Sequence, residues 1–140
     1  MTLHMIKLCV GADSIEDLAD WQKRRLAGQR AAGEKPRLWH MTRMVPKRQS
    51  ELLDGGSLYW VIKGVLQVRQ RILGFGEGQK SDGTPCCLVY LDRALVPVHP
   101  MPRRAFQGWR YLERKDSPRD LPRGRRAAEG LPPRLEAALA

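Results

Sequence analysis

Basic and aromatic side chains interleave along this chain in a way that suits phosphate neutralisation and base stacking. Arg43, Lys47 and Arg48 form one group, and Trp60 with Lys63 a second. Gln67, Arg69 and Arg71 follow within five residues, and Arg103, Arg104, Trp109 and Arg110 close the series. Arginine and lysine neutralise phosphates, while aromatic faces stack unpaired bases at about 1–3 kcal/mol each. An amide such as Gln67 can contact a base edge. Trp39 and His40, just ahead of Arg43, extend the pattern. Tryptophan also offers a large apolar area that usually goes into a core, so the arginines carry more of this argument than the aromatics.

Other chemistries lack their signatures. The chain has no G-x-x-x-x-G-K-[ST] phosphate loop, no G-x-S-x-G elbow and no H-E-x-x-H pair. Gly74-Phe75-Gly76-Glu77-Gly78 has the composition of a phosphate-cradling loop, but a hairpin turn explains it better. His4, His40 and His99 share no short ligand spacing with Cys9, Cys86 or Cys87, so neither a metal site nor a cofactor is expected. The three cysteines lie in apolar, strand-like runs where a thiol stays neutral and inert, and they are expected to be reduced and inaccessible. The chain therefore reads as non-catalytic.

Charge points the same way as the interleaving. The 140 residues carry 25 Lys+Arg against 15 Asp+Glu, a net charge of +10 and a pI near 10.2, which favours polyanionic partners. Arg outnumbers Lys 18 to 7. That suits phosphate recognition by guanidinium forks, and equally a composition that simply uses Arg freely. No window approaches the roughly 18 apolar residues of a membrane span, and Met1–Gly11 lacks the pattern of a secretory leader, so a cytoplasmic protein with no membrane partner is expected.

The elements that must position these residues centre on Leu52–Glu77. Gly55-Gly56 opens the stretch, Leu58–Ile62 forms one run, Lys63-Gly64 interrupts, and Val65–Phe75 forms a second run: the spacing predicts a β-hairpin. Two-residue periodicity would put Leu66, Val68 and Ile72 on a core face, with Gln67, Arg69 and Arg71 on a wet one. The competing structural reading pairs Arg69 or Arg71 with Glu51, Asp54 or Glu77. Upstream, Leu3–Val10 reads as a central strand, and Asp13 to about Ala32 as a helix with Ile15, Leu18, Ala19, Gln22 and Leu26 on its stripe and Trp21 beside it. Leu38–Met41 reads as a strand and the residues after Pro46 as a short helix. Gly76–Pro85 reads as a mobile polar loop, Cys86–Leu91 as a strand, and Leu95–Pro100 as an edge strand or extended cover. From Glu113 to Arg126 the composition is that of a loose basic arm, followed by a short terminal helix within Ala127–Ala140. The expected organisation is one α+β domain over residues 1–115 and a basic, proline-containing tail over 116–140.

The pieces Ile6–Gly11, Ser14–Leu18, the Gly55–Arg71 hairpin and Ala105–Leu112 resemble a small bacterial family known as a domain of unknown function. More loosely, the glycine pair, the Tyr59-Trp60 strand and the basic strand returning beside it are similar to the PUA-like β-barrels, which include the ASCH and EVE domains. That likeness implies a small curved, mixed or antiparallel, barrel-like sheet flanked by two or three helices, and binding of RNA or modified bases without catalysis. The expected function is a nucleic-acid-binding module that prefers RNA to DNA and uses the basic hairpin face. A protein-interaction module and a nucleotide- or small-molecule-binding barrel with enzyme activity are the alternatives.

Overall fold

Lys63 and Gly64 both take positive φ, 49° and 78°, as a two-residue hairpin turn of matching twist requires. The computed structural model describes residues 2–122. In chain order the elements are β1 (Leu3–Leu8), α1 (Ile15–Ala31), β2 (Leu38–Thr42), α2 (Gln49–Leu52), β3 (Ser57–Ile62), β4 (Val65–Gln79), β5 (Pro85–Leu91), β6 (Val96–Pro102) and β7 (Trp109–Glu113), then a 3-10 turn, Arg114–Asp116. The order β2-β5-β4-β3-β1-β7, with β6 also pairing β4, makes a seven-stranded mixed sheet in which only β1 and β3 run parallel. The α+β class holds. The sheet is open, with β2 and β7 as its ends, where a near-barrel was expected.

Every residue of β3 is buried, because the strand lies between β1 and β4 and is covered on both faces. Leu58, Trp60 and Ile62 join Ile15, Leu18 and Leu26 of α1 in the larger core, while Tyr59 and Val61 join Ile6, Leu66, Val98 and Leu112 in the smaller one. Ser14 caps α1 by accepting from the Asp17 N–H at 3.0 Å, so the helix begins at Ile15 where a start at Asp13 was expected.

Three expectations change. First, β4 has a bulge at Gln67: Val61 faces Leu66 but Trp60 faces Val68. The extra residue reverses the alternation, so Leu66 points into the smaller core, on the same side as Arg69, while Val68 and Ile72 point into the larger one. Second, the glycine-rich Gly74–Gly78 is strand, paired with β5, and only Lys80–Thr84 forms the connection. At Gly76 an added Cβ would sit 2.7 Å from the Tyr90 hydroxyl, so the glycine there makes room for a neighbouring ring. Third, the segment read as a loose arm is tied to the sheet as far as Leu121: His99 N–H donates to Arg119 O, and Leu121 N–H to Pro97 O. The rest of that arm and the expected terminal helix lie outside the described residues.

Gly56 joins α2 to β3 where other backbone leaves no room for a side chain. A Cβ there would stand 2.2 Å from Leu3 O and 2.3 Å from Leu52 O, neither of which can rotate away. Replacing Gly56 by Ala is therefore expected to destabilise the protein by about 3 kcal/mol or more, through forced displacement of β1 or α2. Equilibrium denaturation checks this, and an unchanged midpoint would contradict the packing described.

Candidate nucleic-acid interface

The hairpin arginines do share a face, but one of them is committed. Arg69 Nε and Nη2 donate to the two carboxylate oxygens of Asp120, both at 2.7 Å, and Nη1 donates to Ser57 Oγ at 2.9 Å. The pairing reading is thus realised for Arg69, with Asp120 as the partner instead of Glu51, Asp54 or Glu77. The folded-back segment supplies this carboxylate, which composition alone did not suggest. The hydrogen bond to Asp120 raises the pKa of Arg69, and that to Arg69 lowers the pKa of Asp120. Arg71 is exposed.

Three of the expected contact residues are core. Gln67, at the bulge, is 2% exposed and donates to Ile62 O at 3.1 Å, so it faces no base edge. Trp60 is 3% exposed, its indole N–H held by Gln70 Oε1 at 2.9 Å. Trp109 is 7% exposed and donates to Met44 O at 3.0 Å. Their rings supply apolar area, which leaves no open face for stacking.

The remaining cations divide between the two faces. Lys63 lies 3.8 Å from Asp13 at the hairpin tip, and Arg103 N–H donates to Gly64 O, which places Arg103 beside that tip. Arg104 is exposed, and Arg110 lies over the Phe106 ring at 5.0 Å. Arg43, Lys47 and Arg48 are exposed and sit instead over β7. The Tyr111 hydroxyl accepts from the Lys47 and Arg48 amides at 3.0 and 3.1 Å, and Arg48 pairs with Glu51. Tyr111 packs against the larger core, so this group is on the face away from Arg69.

A second surface brings together residues that the sequence separates. Arg25 lies between the rings of Trp21 and Trp39, 4.5 and 4.1 Å from their centroids, and donates to Trp39 O at 2.8 Å. Trp39 is directly across from Tyr90 in the β2–β5 ladder, and Arg37 stacks over Tyr90 at 3.4 Å. The row Trp21, Arg25, Trp39, Tyr90, Arg37 runs from α1 onto the outer face of β2 and β5. Trp21 is 46% exposed. Sequence reading missed this row; the four-residue spacing of Trp21 and Arg25 on one helix face is the signal that could have pointed to it, while the partner strands were beyond sequence reading.

Beside this row the end of β1, α1 and β2 enclose a cleft of about 540 Å³, lined in part by Lys7, Cys9, Trp21, Arg24, His40 and Trp60. His40 Nε2 is buried without a hydrogen-bond partner among the described residues, and the ring meets Trp60 edge-on at 5.0 Å. Burial first, then the charges of Lys7 and Arg25, bring the His40 pKa down to about 4. Burial lowers the pKa of Lys7 and raises that of Cys9 to about 11, so the thiol is neutral at neutral pH. Cys86 and Cys87 are buried, and all three cysteines are free. Among the described residues no three His, Cys, Asp or Glu side chains are grouped to hold a metal, and no helix is long and apolar enough to cross a membrane.

Two stability experiments follow from these contacts. Arg69→Gln and Asp120→Asn should each lower the melting temperature by a few degrees, since a bidentate, half-exposed pair is worth about 1 kcal/mol. The double variant should melt no lower than the worse single one; full additivity would show that the pair is not coupled. Because Asp120 has a lowered folded-state pKa, its share of stability is present above its unfolded value and disappears as pH falls through the folded one.

His40 acts in a different window. Its folded pKa of about 4 lies below the ordinary 6.5, so the unfolded chain takes up the proton first on acidification. His4, lowered chiefly by burial and accepting from Ser57 N–H at Nδ1, adds in the same sense. Stability should be full above about pH 6.5 and fall between there and pH 4. A His40→Phe variant should show a shallower loss across that interval, measured as denaturant midpoint against pH; an identical slope would contradict a buried neutral imidazole.

No characterised protein and no solved structure matches this chain. A family model does, over residues 5–140, which takes in every element described from Met5 onward. The chain belongs to that family, described as a protein of unknown function (DUF1489).

Proposed function

We propose that the protein is a non-catalytic nucleic-acid-binding module that takes single-stranded segments, RNA in preference to DNA. The observation that carries this reading is the surface row of Trp21, Arg25, Trp39, Tyr90 and Arg37, in which rings and guanidinium planes are already stacked. Stacked arginine keeps its charge, because a ring orients the cation without neutralising it. Such a row therefore offers bases a platform and phosphates a cation within the same few side chains. RNA is preferred because its loops and ends present the unpaired bases that stacking surfaces use. The net charge of +10 supplies the long-range attraction. Lys63, Arg71, Arg103 and Arg104 extend the basic surface toward the hairpin, while Arg69 is withdrawn from it by Asp120. The reading includes a PUA-like relationship of the hairpin, from which the open sheet is a departure.

The test is titration of a labelled oligouridine and its deoxy counterpart by fluorescence anisotropy at several salt concentrations. Each phosphate neutralised should contribute about −0.7 to the slope of log affinity against log salt. Replacing Trp21 by Ala together with Arg37 by Gln should weaken binding about tenfold or more, with the melting temperature little changed. A flat salt slope, or a double variant that binds like the parent, would overturn the reading in favour of a protein-docking module.

A further inference from the structure

We infer that the cleft between β1, α1 and β2 holds a single nucleotide, with its phosphate on Lys7 and Arg24 and its base reaching His40. The choice of ligand class rests on the nucleic-acid reading above; the need for a ligand rests on the cleft itself. At about 540 Å³ it lies within the range of about 300–1,000 Å³ usual for small-molecule sites. Its chemistry is incomplete in two specific places.

Lys7 projects from the α1 side of β1, between Met5 and Cys9, and is half-buried. It forms no ion pair among the described residues, whereas four other cations do. A desolvated ammonium without a counterion is unfavourable, and an anion entering the cleft would relieve it. His40 Nε2 is the second gap, a buried ring nitrogen with no partner among the described residues. Its ring stays neutral at physiological pH, so one nitrogen can accept and the other donate. Leu18, Met41 and Trp60 give the cleft apolar wall, and Trp21 stands at its rim with nearly half its surface exposed.

The acidic residues narrow the ligand further. Asp17 and Asp20 share the lining with Arg24, and Asp17 already accepts from the Asp13 amide at 3.0 Å. A fatty acid would satisfy Lys7 but leave the buried His40 nitrogen without a partner. A nucleotide satisfies all of them: phosphate for the cations, ring atoms for His40, sugar hydroxyls or an exocyclic amine for Asp20, and a planar body for Trp21 and the apolar wall.

The experiment uses the full chain and the four nucleoside 5′-monophosphates, with inorganic phosphate as a control, followed by calorimetry and by the His40 ring signals in NMR spectra. At least one monophosphate should bind saturably and shift the His40 signals of the parent protein, with inorganic phosphate alone at least tenfold weaker. Lys7→Met and His40→Phe should each weaken that binding tenfold or more. Should either variant fail to fold, the ring shift in the parent remains decisive. If no monophosphate moves the His40 signals at millimolar concentration, the cleft proposal is overturned; intact oligonucleotide binding in that case leaves the surface reading standing. Monophosphate binding without oligonucleotide binding would uphold the cleft and overturn the surface reading.

Discussion

Helix α1 is held to the sheet by a reciprocal pair of buried amides, Gln22 and Gln70. Gln22 Nε2 donates to Gln70 Oε1 at 2.9 Å, and Gln70 Nε2 returns a hydrogen bond to Gln22 Oε1 at 3.0 Å. Gln70 Oε1 also accepts from the Trp60 indole, and its Nε2 also donates to Asp92 O at 2.9 Å. One side chain thus fixes a helix, the central strand and the end of β5. Removing one amide would leave its partner buried and unsatisfied, a penalty of about 1–3 kcal/mol, so the arrangement tolerates neither rotation nor sliding of α1. Both the Trp21–Arg25–Trp39 row and the cleft depend on that fixed helix, because each takes one wall from α1 and the other from strands.

The bulge at Gln67 is the second constraint, and it decides which side each hairpin residue serves. With strict alternation Leu66 would accompany Val68; the inserted residue sends it to the smaller core, on the side of Tyr59 and Arg69. Gln67 itself is buried and spends its amide on Ile62 O, at the end of the partner strand. Arg69 then emerges at the margin of a core, half-desolvated, where a carboxylate is the favourable neighbour. Asp120 meets it because Pro97 and Val98 of β6 hold the returning segment by Leu121 N–H and a bridge at Asp120.

Local signals in the sequence were dependable where a single physical rule decided the outcome. The Lys63-Gly64 turn, the apolar runs of β1, β3 and β5, and the stripe of Ile15, Leu18, Gln22 and Leu26 all follow from backbone permission or periodicity. What escaped depended on pairing between distant segments. Glycines at Gly74, Gly76 and Gly78 look like a loop until Tyr90 and Leu88 from β5 fill the space beside them. The segment after Glu113 looks like a solvated arm until Asp120 finds Arg69. At the site, exposed arginines were legible from composition, but the burial of Trp60, Gln67 and Trp109 was not, since their types fit a surface contact as readily as a core. Nor does sequence reveal that Lys7, one cation in an apolar strand, faces a cleft shared with His40.

The distinction between neutralised and merely oriented arginines bears on where this basic protein is most positive. Arg69 and Arg48 each face a carboxylate, so their charge is cancelled at short range. Arg25 and Arg37 face rings, which restrict the guanidinium but leave its full charge in place. Holding a cation still before a ligand arrives reduces the conformational entropy lost on binding, which is the usual advantage of a preorganised site. A polyanion approaching the hairpin would have to displace Asp120 to reach Arg69, whereas at the α1–β2–β5 surface Arg25 and Arg37 need no carboxylate displaced. Among the described residues, two of the arginines held by rings and not by carboxylates, Arg25 and Arg37, therefore lie on the α1–β2–β5 surface, whereas the hairpin arginine that the alternation of residues first singles out, Arg69, is the one whose charge is cancelled.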